Sequence, residues 1–487
     1  MLGLAAPLGG ATGLWPLAVL GISLAAIVIL ITRLRVHAFF ALIFAAILTG
    51  VLSGALPGER GTLPGTPQKE RSHWVQAVEL TVEGFGKTAA KIGVVIALAS
   101  VIGVCLVESG GADKVVRRFL ALFGESRAAH AIFASGYVLS IPIFFETYFM
   151  LLLPLAQALH LRTGKHYMMY VLAICCGGTI THSLVAPHPG PLAMAENLHL
   201  DVGQTIVCGI LAGIIPATCA WFLARWISVR VNAPMRSVSG ELRAELEGIV
   251  AKKESELPSF MWSVAPVIVP LVLIGSVSLL TMLGGRQAFP QLFTGLEFLG
   301  DRHIALLIGA VLAAVLLIRQ KRIGLDKVTQ LIGPQFATAG VIILIASAGG
   351  AFGAMLRYAG VGEVISTYAV KWDMNLILVG WAVSAIIRVA QGSATVAMIT
   401  ASAIMYSIVS TGIKMPYHPM YLFLAIGFGS KMLSWMNDSG FWTVSKFSGF
   451  TETETLKSWS VLVSVMSVIG LVQCLVVSKF LPFVPNF

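Results

Sequence analysis

Charge is sparse in this 487-residue chain: 11% of its residues are Asp, Glu, Lys or Arg, against 57% hydrophobic and a mean hydropathy of +0.86. A water-soluble protein carries about a quarter of its residues charged, so the deficit excludes that class and leaves a polytopic membrane protein. The formal net charge of +10 does not indicate a nucleic-acid partner, because the basic residues are scattered over short connections without a clustered arm or a zinc motif. The six cysteines, Cys105, Cys175, Cys176, Cys208, Cys219 and Cys474, lie inside apolar runs with neither metal-ligand spacing nor a disulfide framework. They read as packing residues, and no metal is expected. No GxxxxGK[ST] loop occurs, which argues against transport driven by an attached ATPase domain. Ser183 follows His182, yet no oxyanion-hole motif accompanies them, so an embedded hydrolase has little support and no cofactor is indicated.

What the chain has in quantity is apolar runs long enough to span a bilayer, about 20 residues each. They fall near 14–32, 36–54, 88–107, 204–224, 261–283, 303–318, 334–356 and 458–478. No basic residue precedes the first, so it lacks the charged start of a cleavable signal and is expected to stay in the membrane. Two further spans, near 167–199 and 418–445, are interrupted. Residues 179–191 read TITHSLVAPHPGP, placing Pro187, Pro189, Pro191 and Gly190 beside two histidines. Proline lacks the backbone donor and clashes with the preceding turn, so the chain is expected to unwind there. Unpaired backbone survives at membrane depth only where protein or a water-filled cavity surrounds it. The second interrupted span contains KMLSWMNDSGF, residues 431–441.

Two apolar segments, 128–160 and 374–411, hold polar residues in their middles and read as re-entrant hairpins. Repetition organises the whole: GVVIALAS at 93–100 matches GVIILIAS at 340–347, and each is followed by an amphipathic stretch, a hairpin and a broken span. Lys and Arg are retained in cytoplasmic loops. That rule is satisfied by about ten crossings with both termini outside. The expected fold is therefore all-α and polytopic, with an N-terminal transmembrane repeat at 1–224, a cytoplasmic linker at 225–260 and an inverted repeat at 261–487. Inverted repeats with discontinuous helices at mid-membrane are the architecture of secondary carriers.

Candidate site residues cluster at the hairpin tips and breaks. Glu146 is the membrane-depth carboxylate of its half: burial favours its neutral form, which suits a proton carrier, unless it pairs silently with Arg388 or Lys431. In RVAQGSAT, residues 388–395, Arg388 can clamp a carboxylate bidentately beside Gln391, Gly392, Ser393 and Thr395, and exposed amides at a half-helix N-terminus add positive dipole. Lys431 and Asp438 fit either a mutual ion pair or ligand contact, while Asn437, Asp438 and Ser439 suit a hydroxylated guest. His182 and His188 can bind hydroxyls, relay protons or satisfy freed carbonyls, and Thr181 lies beside them. Glu108 and Arg357 end equivalent spans and read as interfacial anchors.

THSLVAPHPGPLA (181–193), RVAQGSATVA (388–397), NDSGFW (437–442) and ETLKSWSV (454–461) together resemble the gluconate:proton symporter (GntP) family of bacterial inner-membrane permeases, over nearly the whole chain. Ser183 and Ala186 stand where the family usually has glycine and proline, and Glu146 where many members carry a carboxylate. The resemblance implies an ion-transporter-superfamily fold with an elevator-like motion, and transport of gluconate, other sugar acids, D-serine or small hydroxy acids. The expected partners are a small organic anion, protons and the lipid bilayer, and the sequence leaves open whether copies associate as a homo-oligomer. In this reading Arg388, Ser393 and Thr395 hold the carboxylate, His182, Asn437 and Asp438 the hydroxyls, and Glu146 the proton. A sodium-coupled carrier and a passive channel remain as alternatives.

Overall fold

The computed structural model describes residues 14–54, 56, 72–124, 127–163, 167–231, 233–236, 254–282, 290–372 and 374–482. Regular structure among them is entirely helical, and seven helices are long and apolar enough to cross a membrane, as expected of a multi-pass membrane protein. In chain order the N-terminal half contains α1 (Trp15–Val28), α2 (Ala38–Leu52), α3 (His73–Glu108), the amphipathic α4 (Gly111–Phe123), α5 (Ala128–Leu139), α6 (Phe145–Thr163), α7 (Tyr167–Leu184), α8 (Pro189–Asn197) and α9 (Val202–Val231). The remainder contains α10 (Phe260–Met282), α11 (Pro290–Leu299), α12 (Arg302–Lys321), α13 (Leu325–Tyr358), α14 (Val361–Lys371), α15 (Leu376–Gln391), α16 (Ala394–Val409), α17 (Met420–Gly429), α18 (Ser439–Ser448) and α19 (Glu452–Phe480). Half of the 225–260 linker lies outside the described residues; toward its end Glu254 accepts from Lys114 of α4 at 2.6 Å.

Both expected hairpins are helix–break–helix units, α5/α6 around residues 140–144 and α15/α16 around Gly392 and Ser393. Both expected broken spans are present too, α7/α8 and α17/α18. The first break is narrower than the prolines imply: only residues 185–188 leave the helix, while Pro189, Gly190 and Pro191 already form the first turn of α8. Proline is tolerated there because first-turn amides have no intrahelical acceptor to lose. α3 and α13 are longer than the apolar runs inside them, 36 and 34 residues, and pack against one another as a central pair.

Lipid tails are as apolar as these side chains, so close packing and interhelical hydrogen bonds hold the helices together rather than transfer out of water. α7 illustrates both. A Cβ on Gly177 would sit 2.1 Å from the Phe133 carbonyl oxygen, so α5 approaches only because no side chain intervenes. The fully buried Tyr148 of α6 donates its hydroxyl to the Ile174 carbonyl at 2.9 Å, and Tyr167 reaches the Ser448 carbonyl at the end of α18 at 2.9 Å. Every residue of α7 is buried except His182. That exception marks where the helix meets a cavity.

Candidate functional site

The two tips and two breaks converge on a cavity of about 640 Å³. Four helices begin at its wall. α6 contributes Phe145, Glu146 and Thr147, α8 its N-cap His188, α16 Ser393, Ala394 and Thr395, and α18 Asp438, Ser439 and Gly440. A helix N-terminus carries roughly half a positive charge in its unsatisfied amides. Four helices begin at this one space, but α8 opens with Pro189 and Pro191, which carry no N–H, and Ser393 and Asp438 already cap the first turns of α16 and α18, so the helix dipoles rather than free amides favour an anion here.

The charged side chains divide into a paired set and an unpaired one. Arg388, 5% exposed, donates one guanidinium nitrogen to Asp438 and another to the Gly392 carbonyl. Asp438 also accepts from the Ser434 hydroxyl, which in turn accepts from Trp459 Nε1 at 2.6 Å, and it caps α18 through the Gly440 amide at 3.1 Å. Arg388 and Asp438 are therefore a buried ion pair locking the second hairpin tip to the second break, so of the two readings open for Lys431 and Asp438 their mutual ion pair is not the one observed. Lys431 is 4% exposed, lines the cavity and makes no ion pair with a described residue. Its side chain lies at the cavity, where an anion would meet it.

The expected residues otherwise fall into place unevenly. Glu146 is half-buried on the cavity wall, one residue inside α6 rather than at an apolar tip, and accepts from the Ser439 hydroxyl at 3.0 Å. The pairing of Glu146 with Arg388 or Lys431 is absent. Asn437 directs its amide nitrogen at the Val389 and Ala390 carbonyls, 2.9 and 3.3 Å away, bracing the end of α15. The Gly392 amide is not exposed, because it donates to the Arg388 carbonyl at 2.8 Å; its left-handed φ of +85° and its close approach to Asn437 both require glycine. Ser393 and Thr395 line the cavity, with Ser393 capping α16 through the Val396 amide. Thr181 does not reach it. Its side chain is fully buried between helices, bonded to Ser140 and to the Tyr137 carbonyl at 3.1 Å, because it lies about 100° around the helix from His182.

Several buried polar atoms at this wall have no partner: both nitrogens of His188, Nδ1 of His182, Nε of Arg388 and both side-chain atoms of Gln391. The large majority of buried side-chain polar atoms are bonded, so such a cluster is consistent with a site that takes a guest or ordered water. The two imidazoles are adjacent, with ring centroids 3.6 Å apart, and His188 meets Phe144 edge-on at 5.5 Å. The sequence reading missed Gln335, Thr338 and Ile342 of α13, which close one side, and Trp459 of α19. Gln335 and Thr338 are the polar positions following Pro334, the one local signal that could have marked them.

Comparison with known proteins gives the family and the fold. The chain is 32% identical to a gluconate permease of Pseudomonas aeruginosa over 94% of its own length and 97% of that protein, and 28% identical to a high-affinity gluconate transporter of Escherichia coli over 95% and 99%. Its fold resembles that of Neisseria gonorrhoeae MtrF, described as one of a class of antimetabolite efflux pumps, with a TM-score of 0.63 at 15% identity over 94% of this chain and 98% of that one. The family model for GntP family permeases matches residues 15–480, so this chain belongs to the GntP permease family, a membrane transporter and not an enzyme.

Proposed function

We propose that the permease imports a small hydroxylated monocarboxylate, gluconate or a related aldonate, coupled to protons across a bacterial inner membrane. The observation that supports this reading best is the meeting of four helix beginnings and the unpaired Lys431 at one cavity whose other cation, Arg388, is already paired with Asp438 and whose remaining carboxylate is Glu146. Lys431 and the first turn of α16, with Ser393 and Thr395, take the carboxylate; Arg388 holds the tip in place through Asp438 and offers its free Nε. His182, His188, Gln391 and Asn437 face the hydroxyls. Ser439 positions Glu146, which faces the cavity and takes the proton. The names of the gluconate relatives support the substrate class.

The topology belongs to the same proposal: two inverted repeats at 1–224 and 261–487 joined by a cytoplasmic linker, about ten crossings and both termini outside. It is supported by the recurrence of a long helix, an amphipathic helix, a hairpin and a broken span in each half. Under this topology Gln335 and Thr338 lie toward the cytoplasmic end of α13, and the cavity opens inward. Purified permease in liposomes tests the function: labelled gluconate should accumulate unchanged against its gradient when a pH gradient is imposed with choline replacing sodium. Accumulation that needs sodium, or mere equilibration, would contradict it.

A further inference from the structure

A second cavity, about 380 Å³, lies where α3 and α13 meet the far ends of α8 and α16. α8 carries His188 at the main cavity and Asn197 at this one; α16 carries Thr395 at the main cavity and Tyr406 at this one. At 1.5 Å per residue the two sites are therefore on the order of 15 Å apart along the same helices. Asn197 fastens these ends together, donating to Ser402 Oγ at 2.9 Å and to the Ile399 carbonyl at 3.3 Å. In the proposed topology this cavity faces outside.

Its charge is unbalanced. Lys87 is paired with Glu83 at 2.5 Å, and Glu196 is shared between Arg302 and Lys91, the latter at 3.7 Å. Arg357 makes no ion pair with a described residue and instead stands 5.4 Å from the ring centres of both Tyr358 and Tyr406. One carboxylate, Glu196, and three cations, Lys87, Lys91 and Arg357, thus line this space, with Glu83 and Arg302 behind them as partners. Arg357 is more than the interfacial anchor its position at the end of α13 suggests: its guanidinium lines the cavity. His199, tilted against Tyr406 with ring centroids 4.7 Å apart, adds a hydrogen-bonding imidazole. The volume lies within the roughly 300–1,000 Å³ typical of small-ligand sites.

We propose that this cavity is a second anion site, at which Arg357 and Lys91 bind the carboxylate of a small hydroxylated organic acid before it reaches the main cavity. A guanidinium over aromatic rings presents its fork to a carboxylate. Lys91 has only a long contact to a carboxylate already engaged by Arg302, so it can turn to the guest. Asn197, His199 and the Tyr406 hydroxyl are the nearby partners for hydroxyls. This inference rests on the aldonate reading above.

Equilibrium binding of labelled gluconate to the full-length permease in phosphatidylcholine nanodiscs tests it. Two classes of site are expected: Lys431→Gln should weaken the tighter by about tenfold or more, and Arg357→Gln combined with Lys91→Gln should do the same to the other. Arg357→Lys, which keeps the charge but not the fork, should weaken it less. A single class weakened by Lys431→Gln and indifferent to Arg357 would overturn the second site and leave the proposed function standing. Absence of any gluconate binding would overturn both. If the weaker class vanishes when phosphatidylglycerol replaces phosphatidylcholine, a lipid phosphate occupies the cavity and the organic-acid assignment fails.

Discussion

Arg388 and Asp438, fifty positions apart, form a buried ion pair that joins the tip of the second hairpin to the second helix break. The pair is framework for the site more than a part of its empty space. Removing one member of a buried pair leaves the other uncompensated and costs about 3–5 kcal/mol. Asp438→Asn should therefore lower the melting temperature in detergent, and Arg388→Gln introduced on top of it should recover part of the loss. Additive losses in the double variant would show that the two side chains act independently.

Lys431 is the opposite case. It has no ion-pair partner among the described residues, so replacing it should not destabilise the fold. Charge-assisted hydrogen bonds contribute about 1.5–3 kcal/mol, so Lys431→Gln should weaken substrate binding by about tenfold or more. Its melting temperature should stay level or rise. A variant that loses stability but keeps its affinity would move Lys431 from the site to the framework.

The two histidines are neighbours but not equivalents. His182 is the partly exposed residue of an otherwise buried helix, whereas His188 is 3% exposed and wedged against Phe144. His182→Ala should impair uptake more than His188→Ala. Equal and mild effects would assign both rings to the packing around the break.

Glu146 is reachable from the cavity and bonded to Ser439 across the two halves of the chain. An approaching carboxylate favours protonation of a nearby carboxyl by like-charge repulsion, and linkage makes protonation favour the anion in return. Glu146→Gln imitates the protonated state, so this variant should still exchange internal for external gluconate while losing accumulation driven by a pH gradient. Uphill uptake by Glu146→Gln would place the proton elsewhere.

Much of this was legible in the chain because backbone punctuation is local. Proline and glycine disrupt helices wherever they stand, so the break before His188 and the tip at Gly392 could be located, even though Pro189 and Pro191 proved to start a helix rather than extend the break. Pairing was not legible. Arg388, Lys431, Asp438 and Glu146 all read as site charges, but which of them meet depends on how two distant breaks pack. Thr181 failed for a related reason: one residue from His182 turns a side chain about 100° away, into the contact with Ser140. Thr338 and Gln335 sit inside what reads as an ordinary span, and only packing against the tips makes them part of the cavity wall.

In the proposed function the main cavity recognises negative charge through Lys431 and the helix dipoles around it. Competition binding of gluconate against gluconamide, its neutral counterpart with the same hydroxyls, tests this most directly in purified wild-type permease and in Lys431→Gln. Gluconate should bind on the order of a hundredfold more tightly than the amide to the wild type, and the variant should lose most of that preference. Equal binding of acid and amide to the wild type would show that the cavity does not recognise the charge.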